Sequence, residues 1–334
     1  MTDHQPYWLL IEGGGSRTWV ARATDEAVTA EQEGASTNPR SVGNDQAHDT
    51  LAALIRQLPA TGGLRGVVAA HGAASTKACA GEFAGLVLRA LAAAGQPQVP
   101  VLATNDIVPL LLDDGPVCVV ICGTGTGFAA RNGHRWARAS GLEWLLSDEG
   151  GGHDLAARAL RAAVRALDSR GPATALVDAA RRWCAAESGT SGPLRDALFH
   201  TVHRGPAHKP LVASFAPLVI DAARGDDPVA ARLLDDAARE LALGAEAVCR
   251  SARLPAGASL VLAGSLLGTD TLRERFLAQA RARLGDTMAP RVADTPAPAL
   301  LRLLALWQDP AAVAALTRSM PAHATALPSQ GARP

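Results

Sequence analysis

The chain has 334 residues, 48% of them hydrophobic, about enough for two domains of roughly 150 residues with packed cores. Its 32 basic and 32 acidic side chains cancel, so no net field steers it toward nucleic acid or an anionic membrane. No apolar run approaches the ~18 residues of a bilayer span, and the N-terminus lacks a basic region followed by a long apolar core, so a cytoplasmic protein is expected.

In chain order, short apolar runs bounded by turn residues predict strands over Trp8 to Ile11, Thr18 to Ala23 and Ala27 to Glu33, with Gly13, Gly14 and Gly15 making a tight hairpin between the first two. A helix over Asn44 to Leu58, a buried strand over Arg65 to Ala70, a helix over Glu82 to Ala94 and a strand over Val99 to Ala103 follow. This alternation implies a sheet with parallel members and covered faces. From Val117 the pattern restarts: a strand ends in Gly123-Thr124-Gly125-Thr126-Gly127 and a second, Phe128 to Arg131, returns at once. The echo about 110 residues on suggests two related halves. Helical periods cover Leu155 to Leu167, Ala173 to Ala186, Leu211 to Ala223, Val229 to Ala252 and Thr271 to Leu284, and Ser259 to Ala263 reads as a last buried strand before Gly264. Residues after about Met320 show no period and predict a disordered tail.

Five scattered cysteines, Cys79, Cys118, Cys122, Cys184 and Cys249, fit reduced structural thiols. Cys118 and Cys122 share one face of an apolar strand, a setting that favours burial over an iron–sulfur cluster. His200, His203 and His208 have spacings that suggest zinc, but Gly205-Pro206 marks a loop and a solvated histidine-rich turn is the expected reading.

Glycine lets a backbone approach an anion closely and leaves amide N–H groups free to donate. Glu12-Gly13-Gly14-Gly15-Ser16-Arg17-Thr18 and Gly123-Thr124-Gly125-Thr126-Gly127 both have this character, and neither is followed by the lysine of a Walker loop. Read alone, each is a tight hairpin. Together with Gly264-Ser265 they resemble the nucleotide clamp of the actin, hexokinase and Hsp70 superfamily. Within it the chain is most similar to N-acetylglucosamine kinases of the activator-type ATPase family. The resemblance rests on Ile11 to Thr18, Ala35-Ser36-Thr37-Asn38-Pro39, Thr104-Asn105-Asp106, Ile121 to Gly127, Gly141 to Gly150, Gly225-Asp226-Asp227-Pro228 and Leu262-Ala263-Gly264-Ser265, in the family's order over residues 8 to 285.

The resemblance implies a two-domain α/β actin-like (ribonuclease H-like) ATPase fold with mixed sheets flanked by helices. It places ATP in the interdomain cleft, with residues 1–112 and 113–297 as the two domains and 298–319 a helix returning to the first. Closure of the domains would exclude water from the γ-phosphoryl group. It implies that Gly13, Gly14, Gly15, Ser16, Arg17, Thr18, Gly123, Thr124, Gly125, Thr126, Gly264 and Ser265 bind ATP, that Glu12 holds Mg²⁺ through water, and that Asp106 is the general base. Read without the resemblance, Glu12 is also an exposed strand-end carboxylate, Arg17 a solvated hairpin arginine and Asp106 a helix N-cap.

Asn38 and Asp148 match positions that bind sugar hydroxyls, with a turn residue and a helix cap as their plainer alternatives. The family's Gly-Trp-Gly is here Gly141-Leu142-Glu143, its serine after Asp-Glu-Gly is Gly151, an asparagine facing the sugar is Gly127, and a serine-containing segment is Ala69-Ala70-His71-Gly72. Gly127, Leu142, Glu143 and His71 are therefore candidate substrate contacts that alter the acceptor. Glu143 could meet a free amine, although a surface glutamate is the plainer reading, and His71 could simply fill buried space. The implied activity is transfer of the γ-phosphoryl group to a hydroxyl, the 6-OH, of an amino sugar such as N-acetylglucosamine or glucosamine. The alternatives are an ATP-hydrolysing activator and a sugar sensor without turnover. Relatives often form homodimers; neither nucleic acid nor a membrane is an expected partner.

Overall fold

A computed structural model of the protein describes residues 5–309, except 60–61, 113–114, 191, 204–207 and 286–287, together with 325–327. The chain divides into two compact units. The first is Met1–Asp114 with His134–Trp136 and Asp294–Pro334; the second is Gly115–Gly133 with Ala137–Ala293.

In the first unit, β1 (Tyr7–Gly13), β2 (Arg17–Ala23) and β3 (Val28–Ala35) form an antiparallel meander. The short helix α1 (Pro39–Val42) and α2 (Asn44–Gln57) lead to β4 (Leu64–His71), and α3 (Lys77–Ala93) leads to β5 (Val101–Thr104) and α4 (Ile107–Leu110). β4 lies parallel to both β1 and β5, so β1, β4 and β5 all run the same way and their carboxyl ends share one edge. Near-continuous burial along β1 and β4 marks central strands covered on both faces, whereas β3 alternates half-buried and exposed as an outer strand does.

The second unit begins with β6 (Val117–Cys122), β7 (Thr126–Asn132) and β8 (Arg135–Ser140), of which the residues from Ala137 onward belong to this unit. Helices α5 (Gly152–Leu167), α6 (Leu176–Ser188), α7 (Leu194–His203), α8 (His208–Ala213), α9 (Ala216–Arg224) and α10 (Pro228–Ala252) follow, then β9 (Ser259–Ala263), α11 (Asp270–Leu284) and β10 (Ala289–Val292). The strand order is β10-β9-β6-β7-β8, with β9 parallel to β6. Asp227 begins α10 by accepting from Ala230 N at 2.8 Å, and its other oxygen accepts from Ala175 N at 2.7 Å ahead of α6.

The last helix, α12 (Ala297–Trp307), rejoins the first unit, where Trp307 meets Trp8 edge to face at 5.3 Å. β11 (Thr325–Leu327) adds to β5 and completes the sheet order β11-β5-β4-β1-β2-β3. These three residues of the expected tail therefore carry strand structure; the rest of 320–334 lies outside the described residues, as does 310–319 of the expected returning helix.

Two further expectations change. The continuous period from Leu211 to Ala223 breaks at Ser214 and Phe215, between α8 and α9. His200 and His203 sit on α7, ringed around Phe199, rather than in a loop; residues 204–207 lie outside the described residues.

Candidate active site

In the first unit the carboxyl ends of β1, β4 and β5 bring Glu12-Gly13, His71-Gly72 and Asn105-Asp106 to one edge of the sheet, where open α/β sheets bind ligands. Gly72 N donates to Gly13 O at 2.8 Å, Gly14 N to Arg17 O at 3.1 Å and Ser36 Oγ to Gly14 O at 3.0 Å, which fixes the glycine hairpin from both sides. Gly13 has no room for a side chain, since a Cβ there would lie 2.5 Å from His71 Nε2. Asp106 reaches the same place: its Oδ2 is 3.4 Å from where a Cβ on Gly72 would sit. Asp106 occupies the N-cap position of α4, as the plainer reading expected, but its side chain makes no capping hydrogen bond to that helix.

Glu12 and Asp106 are near enough to influence each other. Burial raises the Glu12 carboxyl first, repulsion from Asp106 adds to it, and Arg17 opposes the rise, leaving the group at about 7. Arg17 itself is exposed and pairs with Glu33 at 3.6 Å on the neighbouring strand.

His71 is fully buried, as the plainer reading of it as filling buried space expected. Ala73 N donates to its Nδ1 at 3.0 Å, so the ring proton sits on Nε2 and donates to Thr37 Oγ1 at 3.2 Å. Thr37 in turn reaches Thr18 Oγ1, by hydroxyl at 2.9 Å and by backbone N at 3.0 Å. The ring stacks on Phe83 at 4.1 Å, and burial drives its pKa down to about 3. It is a neutral brace under the hairpin. Asn38 begins α1, with Oδ1 accepting from Arg40 N at 3.0 Å, so the turn reading describes that oxygen.

The second unit arranges its glycine turn around the ends of β6 and β9. The carbonyls of Gly123 and Thr124 accept from Gly152 N at 2.8 Å and His153 N at 2.9 Å, pinning the turn to the start of α5. Gly264, at φ +92°, passes so close to β6 that a Cβ would lie 2.5 Å from the Cys122 carbonyl carbon, and Leu266 N donates to Cys122 O at 3.1 Å. Ser265 beside it is exposed, and Gly127 lies within β7.

Asp148 adopts φ +72° and is 4% exposed. Its Oδ1 accepts from Thr126 N at 3.1 Å, and Gly125 must be glycine because a Cβ there would fall 2.5 Å from Oδ2. That second oxygen accepts from Lys209 Nζ at 2.8 Å, and the same ammonium donates to Glu143 Oε2 at 2.5 Å. Burial alone would lower the lysine pKa, but Asp148 and Glu143 outweigh it and hold the ammonium above its ordinary value. Glu143 is thus an ion-paired, half-buried carboxylate rather than a solvated surface glutamate, and Asp148 does not cap α5, whose N-cap is Gly151. Leu142 is 66% exposed, beside exposed Trp144, Leu145 and Leu146.

Lys209 was not a candidate from the sequence. Its partners lie 61 and 66 residues away, and only its rarity, one of two lysines, singled it out. Cys118, Cys122, Cys184 and Cys249 are buried, and Cys118 contacts Cys249. Among the described residues no helix is long and apolar enough to cross a membrane.

The model of the BadF/BadG/BcrA/BcrD ATPase family matches residues 11–283, most of the chain. This protein belongs to that ATPase family. An N-acetylmuramic acid/N-acetylglucosamine kinase of Clostridium acetobutylicum is 34% identical to this family member over 131 residues, 39% of its length and 41% of the relative's, so the match spans about two fifths of that curated relative. Candidate N-acetylglucosamine kinases of known structure are similar in fold. That from Chromobacterium violaceum has a TM-score of 0.66 at 24% identity, covering 89% of this chain and 98% of the other. That from Porphyromonas gingivalis has 0.64 at 20%, covering 89% and 97%. The fold of this ATPase-family member is accordingly the two-domain α/β kind with two mixed sheets flanked by helices.

Proposed function

We propose that the protein is an ATP-dependent sugar kinase that transfers the γ-phosphoryl group to the 6-hydroxyl of an amino sugar of the N-acetylglucosamine type. The observation that carries this reading is the carboxylate pair at the first glycine hairpin, with Glu12 raised to about 7 by burial and by Asp106. Two neighbouring oxygen donors of like charge form the donor set that a small hard cation prefers, so Glu12 fits a Mg²⁺ held through water. When bound, that ion supplies charge neutralisation to the phosphates.

Asp106 accepts the proton of the acceptor hydroxyl as that oxygen bonds to the γ-phosphorus and the bond to the ADP oxygen breaks. Such a base contributes roughly 10²- to 10⁴-fold. The Gly13–Thr18 and Gly123–Gly127 turns supply backbone amides to the phosphates, braced by His71 and by Asp148 respectively. Gly264-Ser265 serves the adenosine. The similarity to an N-acetylmuramic acid/N-acetylglucosamine kinase supports this acceptor class, and the chain's own ATPase family supports ATP as the donor.

The test is ADP release from ATP·Mg²⁺ with a panel of sugars and cyclitols, comparing wild type with Asp106→Asn. Acceptor-stimulated ADP that disappears in the variant is the expected result. ADP release indifferent to every acceptor identifies an ATPase switch instead, and stabilisation by sugars without turnover identifies a sensor.

A further inference from the structure

Lys209 lies on α8 with its side chain 12% exposed, between Asp148 at 5% and Glu143 at 29%. Both carboxylates belong to the segment from Ser140 to Asp148, in which Ser140, Glu143 and Asp148 all take positive φ. Non-glycine residues in that conformation persist only when their surroundings hold them. Here the holding groups are the ammonium and Ser147 Oγ, which accepts from Leu142 N at 2.8 Å. His153 stands beside the cluster against Trp144 at 5.1 Å; its pKa is lowered, by burial first and then by Lys209, so it adds no positive charge at neutral pH.

We infer that Lys209 is a specificity-determining residue: its tethered ammonium takes the place beside Glu143 and Asp148 that a protonated amine of the acceptor would occupy, so the site selects neutral, N-acylated or amine-free sugars over free amino sugars. This rests on the kinase reading and on Asp148 as an acceptor contact. Two arguments support it. An incoming ammonium would meet a like charge and would have to displace a mostly buried lysine already satisfied by both carboxylates. An ammonium also has three N–H donors, and among the described residues Glu143 and Asp148 receive two, leaving one for an acceptor oxygen such as an acyl carbonyl or a hydroxyl.

The experiment compares kcat/KM for N-acetylglucosamine and glucosamine in wild type, Lys209→Ala, Lys209→Gln and Lys209→Arg at neutral pH. Wild type and Lys209→Arg should favour N-acetylglucosamine, whereas the Ala and Gln variants should shift the ratio toward glucosamine by roughly tenfold or more. A shift of preference is a gain that misfolding does not produce. In parallel, ethylammonium chloride is titrated against Lys209→Ala in a thermal melt, with sodium chloride as control. It should raise the Tm of the variant and leave wild type unmoved. If wild type phosphorylates no sugar, the kinase reading fails while the ethylammonium arm still scores Lys209 as the internal cation. Folded Ala and Gln variants that keep the wild-type acceptor ratio, or an Ala variant indifferent to ethylammonium, overturn the inference.

Discussion

The two glycine turns solve the same problem with opposite electrostatics. At the first, Glu12 and Asp106 are held together and strain against each other, so the Glu12 carboxyl sits at about 7, and the group that braces the hairpin, His71, is kept neutral. At the second, Asp148 and Glu143 are also held together, but Lys209 lies between them. At the first turn burial and Asp106 raise the Glu12 carboxyl, whereas at the second the Lys209 ammonium lies between the two carboxylates. On the proposed reading, the like-charged pair serves the chemistry and the ion-paired one the shape of the turn.

The sharpest way to break this contrast is to remove one carboxylate from each pair. Asp106→Asn should lower acceptor-stimulated ADP formation by about 10²- to 10⁴-fold at nearly unchanged Tm, measured by a coupled ADP assay and a thermal melt. Asp148→Asn should instead lower Tm by several degrees, because it weakens the hold on Lys209 and the Thr126 amide. Equal kinetic losses without a change in Tm would erase the distinction.

Crowding the turns is the next test. Gly264→Ala forces a Cβ against the Cys122 backbone at positive φ, and should cost about 3 kcal/mol or more in urea denaturation. Gly125→Ala, which displaces a carboxylate rather than backbone, should cost about 1–3 kcal/mol. That loss should shrink when Lys209 is already methionine, since Asp148 is then freer to turn.

The pH dependence separates the buried His71 from the half-buried Glu12 of the first unit. His71 has a folded pKa of about 3 against an ordinary 6.5, so it takes a proton more readily when unfolded, and its stabilisation is lost as pH falls from 6.5 toward 3. Glu12 has a folded pKa of about 7 against 4.5, so it favours the folded state at low pH, and that contribution is lost as pH rises from 4.5 to 7. Between 4.5 and 6.5 these slopes, each at most about 1.4 kcal/mol per pH unit, oppose each other. Glu12→Gln should therefore make urea midpoints rise with pH in this window, and the same substitution should weaken the dependence of activity on Mg²⁺.

The smallest expected effect concerns Cys79. Burial works against its thiolate, but Thr76 Oγ1 and Arg40 donate to its sulfur at 2.9 Å each and pull the pKa down. Iodoacetamide near neutral pH should label Cys79 first, ahead of the four buried cysteines, as peptide mapping would read.

The fold was legible where local chemistry decides it. β6 and β9 match their apolar runs to the residue, because glycine bounds each and both faces are covered. β8 escaped notice because Arg135 to Ser140 is half-buried and mixed in character, and the break between α8 and α9 was hidden by an apolar period that continues through it. The glycine turns and Asp106 could be found from their order along the chain. The brace at His71 and the clamp at Lys209 could not, since Thr37 lies 34 residues from one and Asp148 61 residues from the other. Such pairings follow from topology, which a linear pattern does not encode.

The return of α12 to the first unit also has a consequence for biosynthesis. Trp8 precedes the second unit in the chain and waits for Trp307, which the ribosome adds only after every residue of the second unit has been made. The nascent first unit must therefore hold the Trp8 indole with Arg65 over its ring at 4.6 Å but without its edge-to-face partner until the second unit has been synthesised.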